Sequence, residues 1–333
     1  MKVTAIIRTC NRPEYLKEAL VSVQLQTHKD WEVIIFDDGA TEMNFLIYKT
    51  FKKANPNNKV MYITTGDAYD LFKNSWLIAP DIADGEVMVR VDDDDILASD
   101  AFEFISEIYS KNPELDFSYG SSVFFNEDGI VSLIETKNPF EHEKSKDMWA
   151  PYTIPNNNPW REPWMWYRDY YEYPQPYTSI IHAAKANQMS IYHTYSMRTS
   201  AVKKIKHKIT MTTDFVDDLE FFGSLDYLGL GHNSLKKILT FVRMHNSGKV
   251  SDYNKQIFGK TMFDENFRVR DKVDELRPSG FFSKVVPIRN EKNKNNGIDT
   301  IILDYFNELQ SKIAYVLGNT SSMKLGNVSI KKI

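Results

Sequence analysis

Four aspartates stand in a row at Asp92-Asp93-Asp94-Asp95, directly after the alternating stretch Gly85-Glu86-Val87-Met88-Val89-Arg90. That stretch is rich in β-branched residues and reads as a strand, so the carboxylates gather where a strand ends. Like charges this close repel, and some must take up protons unless a cation joins them. A hard divalent cation binds oxygen ligands and leaves positions for water and substrate phosphates. The run therefore suits a metal–diphosphate site at the carboxyl end of a parallel strand, where open α/β sheets bind ligands. The other reading is an acidic, solvated loop that caps the next helix. The run does not follow the EF-hand pattern, whose glycine and distal glutamate are missing at the required offsets.

Two further polar clusters follow short apolar runs. Thr9-Cys10-Asn11-Arg12 follows Val3 to Thr9, and Asp37-Asp38-Gly39 follows Trp31 to Phe36. Between them Leu16, Ala19, Leu20 and Val23 recur at helical spacing; Asn11 is placed to cap that helix and Pro13 fits its first turn. Phe45 to Ala54 reads as helix, Val60 to Thr64 as strand, and Tyr69 to Ala79 as a helix that Pro80 stops. Ala101, Phe102, Ile105, Ile108 and Tyr109 form the apolar face of another helix, which Asp95 is placed to cap. Leu115 to Phe125 and Ile130 to Ile134 read as a hairpin around Asp128-Gly129. Strands alternating with helices mean βαβ units and a parallel sheet. Its strand ends then share one edge, and three polar clusters on one edge point to a site.

Composition narrows the function. A chain of 333 residues with 42% hydrophobic content can fill a substantial core. A net charge of −4 argues against non-specific coating of nucleic acid. Cys10 is the single cysteine, so an intrachain disulfide and a cysteine-based zinc site are excluded. No run is long and apolar enough to span a bilayer, and the N-terminus has no signal-peptide layout, so the expected location is the cytoplasm.

The N-terminal stretch resembles family 2 glycosyltransferases of the GT-A fold. The resemblance rests on Thr9 with Asn11-Arg12, on Tyr15-Leu16, Ala19-Leu20, Ser22-Val23 and Gln26-Thr27, and on Glu32-Val33-Ile34-Ile35. It continues through Asp37-Asp38-Gly39, Gly66, Lys73-Asn74, Gly85 and the acidic run. Ala40 stands where the family often has serine, and Asp93 where a small residue is usual. Further on, Ser196 to Val202 resembles the acceptor-side strand and helix start, Asp217-Asp218 the Glu-Asp helix motif, and Val242 to Gly248 the Arg-x-His segment. The implied fold class is α/β: a GT-A, Rossmann-like, mostly parallel sheet flanked by helices, with an aromatic-rich acceptor-side region and C-terminal helices. Three regions are expected: a nucleotide-sugar half over 1–135, an acceptor and catalytic half over 136–250, and a helical extension over 251–333.

The resemblance also implies roles. Thr9, Asn11, Arg12, Asp37, Asp38, Lys73, Asp92 and Asp93 are expected to bind the nucleotide sugar. Asp94, with Asp92 and His245, is expected to hold Mn²⁺ or Mg²⁺. Asp218 is the candidate base and Asp217 the competing choice. The expected reaction is metal-dependent, inverting transfer of a single sugar from a nucleotide sugar, a UDP-sugar foremost, to a hydroxyl of a glycan, a lipid-linked sugar or a modified DNA base. The alternatives are a nucleotidyltransferase and a non-catalytic carbohydrate- or nucleic-acid-binding module on the same sheet.

Residues 136 to 190 differ in texture, with seven prolines spaced among ten tryptophans and tyrosines between Trp149 and Tyr177. Such rings either form a small core of their own or offer faces on which sugars and bases stack. Trp164 and Trp166 with Arg161 and Arg168 are the expected acceptor contacts. Ile301, Leu303, Phe306, Leu309, Ile313 and Val316 predict a C-terminal amphipathic helix that serves the core or contacts a second copy.

Overall fold

The computed structural model describes residues 1–64, 70–126, 129–134, 194–212, 217–243, 300–318, 322–325 and 328–331, with isolated positions between 268 and 288. At its centre are β1 (Val3–Thr9) and β2 (Trp31–Asp37), each buried on both faces. Largely apolar strands buried on both faces are what helices on both sides of a parallel sheet require. β3 (Val60–Ile63), β2, β1 and β4 (Val87–Asp92) lie side by side and parallel in that order. Register pairs Thr9 with Asp37 and Arg8 with Asp92, so the ends of β1, β2 and β4 do form one edge.

Beyond β4 the sheet changes character. β8 (Tyr195–Arg198) runs antiparallel to β4 and to β6 (Phe117–Asn126), and β9 (His232–Arg243) then runs parallel to β6. The two-residue β5 (Ile96–Leu97) closes the far edge on β9, and β7 (Gly129–Ile134) pairs back on β6 as the hairpin reading expects. A separate hairpin joins β10 (Ser322–Leu325) to β11 (Val328–Lys331).

Helices cover both faces. On one side α1 (Pro13–Gln24), α2 (Glu42–Ala54), α4 (Ala101–Lys111) and α7 (Thr300–Val316) share a core with Ala5, Ile7, Val33, Val89 and Val91. Phe306, Leu309 and Ile313 of α7 are buried there, so the C-terminal helix spends its apolar face on the chain's own core. On the other side α3 (Asp70–Ile82), α5 (Thr199–Ile205) and α6 (Asp217–Tyr227) pack on Ile6, Ile34, Phe36 and Met88. Trp76 of α3, fully buried, stacks on Phe221 of α6 with centroids 5.0 Å apart, and so joins two helices to the sheet.

Three local expectations are corrected. Asn11 is not a helix cap: Arg12 holds that position, and Asn11 takes a left-handed φ of 53°. Asn11 packs against Gly39, where a Cβ would lie 2.3 Å from Asn11 Oδ1 and 2.7 Å from its backbone nitrogen, so only glycine fits that position. Pro80 does not stop α3, which continues to Ile82 and closes with Ala83 N–H donating to the Ala79 carbonyl at 2.9 Å. Proline in a last turn forgoes a single backbone bond, a loss that the buried Trp76 and Ala79 beside it offset. Asp95 does not cap α4, because Asp100 occupies that place and Asp95 is turned inward.

Candidate active site

The acidic run begins inside β4 and ends in a tight turn, with Asp95 N–H donating to the Asp92 carbonyl at 3.2 Å. The turn sorts the four carboxylates. Asp93 and Asp95 are buried, while Asp92 and Asp94 keep 17% and 19% of their side chains exposed. Asp93 accepts from Thr9 Oγ1 at 2.7 Å and lies 3.4 Å from Arg12 Nη1. Burial pushes its carboxyl up to about 8, with the Arg12 charge opposing and the neighbouring aspartates adding to the rise. Arg12 also pairs with Asp94. Burial works against the Arg12 charge, but Asp93 and Asp94 outweigh it and hold its proton above the ordinary guanidinium range. From behind, Arg243 at the end of β9 donates its backbone N–H to Asp95 Oδ1 at 3.2 Å and its Nε to the Asp94 carbonyl at 3.1 Å.

The second cluster lies at the end of β2. Asp37 is fully buried. It accepts from the backbones of Gly39 at 2.9 Å and Ala40 at 3.1 Å, from Asn44 Nδ2 at 3.0 Å, and from the Tyr62 hydroxyl. Its carboxylate thus holds the β2–α2 turn, in which Ala40 takes a φ of 48°. The two left-handed non-glycine residues of the described chain, Asn11 and Ala40, follow β1 and β2, and strain of this kind gathers at functional sites. Asp38 receives the Leu71 N–H at 3.0 Å, which docks the head of α3 beside the sheet edge and sets half-buried Lys73 within a turn of it.

Helix α6 brings in the third element. Asp217 is buried against Arg8 and accepts from Trp76 Nε1 at 2.5 Å. Asp218 keeps 23% of its side chain exposed and accepts from Arg90 Nη1 at 2.8 Å. Arg90 in turn grips Asp92 with Nε at 2.8 Å and Nη2 at 2.6 Å. Arg8 reaches the same Asp92 at 3.8 Å.

The structure therefore gathers Thr9, Arg12, Asp92, Asp93, Asp94, Asp217 and Asp218 at one end of the sheet. Sequence reasoning missed Arg8, Arg90 and Trp76. A signal was present for the first two: Ile7-Arg8-Thr9 and Val89-Arg90-Val91 set a charge in the middle of a buried strand. His245, Gly66 and the acceptor candidates Arg161, Trp164, Trp166 and Arg168 lie outside the described residues. Among the described residues no group of three His, Cys, Asp or Glu side chains converges into a metal site. Asp92 and Asp94 are partly exposed and paired with Arg90 and Arg12, and as strand-end carboxylates they have the oxygen chemistry that suits a hard cation whose shell is completed by phosphate oxygens and water.

A parallel half-sheet with polar strand ends, continued by an antiparallel return and a helix headed by two aspartates, is the GT-A architecture. The sequence profile of glycosyl transferase family 2 matches residues 4–201, and the chain belongs to that family. It is 23% identical over 260 residues to an uncharacterised glycosyltransferase of Haemophilus influenzae, a match covering 76% of this chain and 68% of that protein. It is 25% identical over 160 residues to another of Nostoc sp., where the match covers 48% of each chain, so about half of that relative's length is spanned. Among solved structures, S. aureus TarS 1–349 in complex with UDP-GlcNAc shares the fold with a TM-score of 0.55 at 15% identity, over 95% of this chain and 73% of that one. No helix among the described residues is long and apolar enough to cross a membrane.

Proposed function

We propose that the chain is a metal-dependent, inverting glycosyltransferase that moves one sugar from a nucleotide-sugar donor to a hydroxyl acceptor. The observation that carries this reading is the approach of Asp218 to the acidic run, through Arg90 at 2.8 Å on one side and 2.6–2.8 Å on the other. Asp218 is the base. It is the more exposed of the α6 pair, whereas Asp217 is taken up by Arg8 and Trp76. Asp218 accepts the hydroxyl proton as the acceptor oxygen bonds to the anomeric carbon, and the bond from that carbon to the diphosphate breaks with its electron pair on the leaving oxygen. A single base and in-line attack invert the anomeric centre.

Asp94 and Asp92 are the residues that would hold Mn²⁺ or Mg²⁺, which when bound neutralises charge on the diphosphate as a Lewis acid. Arg12 and Lys73 border the same edge and suit phosphate contacts. Thr9 and Asp93 act together there, the hydroxyl orienting the buried carboxyl. The complex of the fold neighbour TarS with UDP-GlcNAc supports a UDP-sugar as donor class. The acceptor is proposed to meet Trp164, Trp166, Arg161 and Arg168 as a glycan, a lipid-linked sugar or a modified base.

Calorimetry with UDP and a panel of UDP- and GDP-sugars, in Mn²⁺ and in EDTA, tests the reading, together with hydrolysis of the same panel. Metal-dependent binding and slow hydrolysis of at least one sugar nucleotide are expected. A panel neither bound nor hydrolysed would overturn it.

A further inference from the structure

We propose that Arg90 is a positioning residue that ties the acidic run to the base, so that Asp92 and Asp218 are held as one unit. The proposal rests on the reading of Asp218 as the base. Arg90 lies on the face of β4 that carries Met88, against apolar and aromatic side chains, with its guanidinium 6.0 Å from the Trp76 ring and 5.7 Å from that of Tyr195. A buried guanidinium needs carboxylate partners, and one would suffice for structure alone. Arg90 takes two, one two residues along its own strand and the other 128 residues away on α6. One edge of its planar fork, Nε and Nη2, spans both oxygens of Asp92, and Nη1 reaches out to Asp218 Oδ2. Burial opposes its charge, yet Asp92 and Asp218 hold its proton well above the ordinary guanidinium range.

One strand over, Arg8 repeats the arrangement, pairing with Asp217 and lying 3.8 Å from Asp92. Two guanidiniums thus link the end of β4 to the head of α6 through three carboxylates. A base must sit within hydrogen-bond reach of its proton, and a misplacement of about 1 Å can cost a hundredfold in rate. Lysine cannot replace the link, because one ammonium has no planar fork that holds two carboxylates at fixed spacing.

The test is a double-mutant cycle on kcat for the nucleotide sugar that the native chain hydrolyses fastest, with UDP binding in Mn²⁺ as a second readout. Arg90→Lys is expected to lower kcat about a hundredfold. UDP affinity should change by less than about fivefold, because both candidate metal carboxylates keep their charge. In an Asp218→Asn background, Arg90→Lys should cost less than about threefold more, since it acts through a base already removed. Full kcat in Arg90→Lys, or losses that multiply in the double variant, overturns the proposal. Loss of folding in both Arg90→Lys and Arg90→Gln overturns it as well, assigning the residue to stability alone. An unchanged kcat in Asp218→Asn by itself overturns the base reading and the proposal with it. That result is distinct from Arg90→Lys being silent while Asp218→Asn is not.

Discussion

Replacing Asp93 by Asn should change how stability depends on pH. Asp93 is buried beneath Thr9 and Arg12, and its carboxyl is raised to about 8, against an ordinary aspartate value of about 3.9. Between those values the folded chain keeps a proton that the unfolded chain releases. More protons bound in the folded state means that stability falls as pH rises. The contribution is fully present below about pH 4 and is lost as pH passes through about 8. Across the middle of that window the slope approaches one proton, about 1.4 kcal/mol per pH unit. An asparagine keeps the Thr9 hydrogen bond through its carbonyl oxygen and has no proton to lose. The gap in unfolding free energy, Asn variant minus wild type, should therefore widen by roughly 1.4 kcal/mol for each unit from pH 5 to pH 7. Denaturant unfolding of both proteins at pH 5, 6 and 7 in EDTA measures this gap, and taking the difference cancels the titrating groups that do not interact with Asp93. A gap that stays flat over those two units would show that Asp93 is ionised in the folded state, and the account of burial here would be wrong.

Asp218→Asn should lower kcat by about 10²-fold or more while leaving UDP affinity nearly unchanged. Asp217→Asn should act first on stability, because it leaves the buried Arg8 without its carboxylate partner on α6; removing one member of such a pair costs about 3–5 kcal/mol, readable as a lowered unfolding midpoint. If Asp217→Asn instead melts like the wild type and loses the larger share of kcat, the two roles are exchanged. Asp94→Ala should weaken UDP binding strongly in Mn²⁺ and little in EDTA, and equal losses in both buffers would remove Asp94 from the metal. Trp164→Ala or Trp166→Ala should raise the acceptor KM with donor KM intact; a fall in melting temperature with acceptor KM unchanged would make those rings core.

The ordering of the parallel half-sheet was legible because buried strands and amphipathic helices have different periods. Val3 to Thr9 and Trp31 to Phe36 are mostly apolar, broken by Thr4, Arg8, Thr9 and Glu32, and Leu16, Ala19, Leu20 and Val23 recur at helical spacing. Once strands alternate with helices, βαβ units run their strands parallel and so put the carboxyl ends together, and Thr9, Asp37 and Asp92 could be expected on one edge before any contact was known. Local chemistry also foretold the hairpin after Phe125 and the apolar face of α4.

What the chain could not reveal by itself was which way each polar side chain turns, and with whom it pairs. Asp37 and Asp92 look alike in sequence, yet Asp37 is fully buried on donors from the following turn, from Asn44 of α2 and from Tyr62 of β3, whereas Asp92 stays partly exposed between two arginines. Asp217 and Asp218 are adjacent, and a helix turns successive side chains by about 100°. With α6 packed as it is, that rotation gives one to Arg8 and Trp76 and the other to Arg90 at the more open side. The partners lie 209 and 128 residues away along the chain, a distance over which no local pattern carries information. Pairing at that range is decided by the packing of α6 on Trp76 and the sheet, which brings the carboxylates to two arginines that burial obliges to be paired.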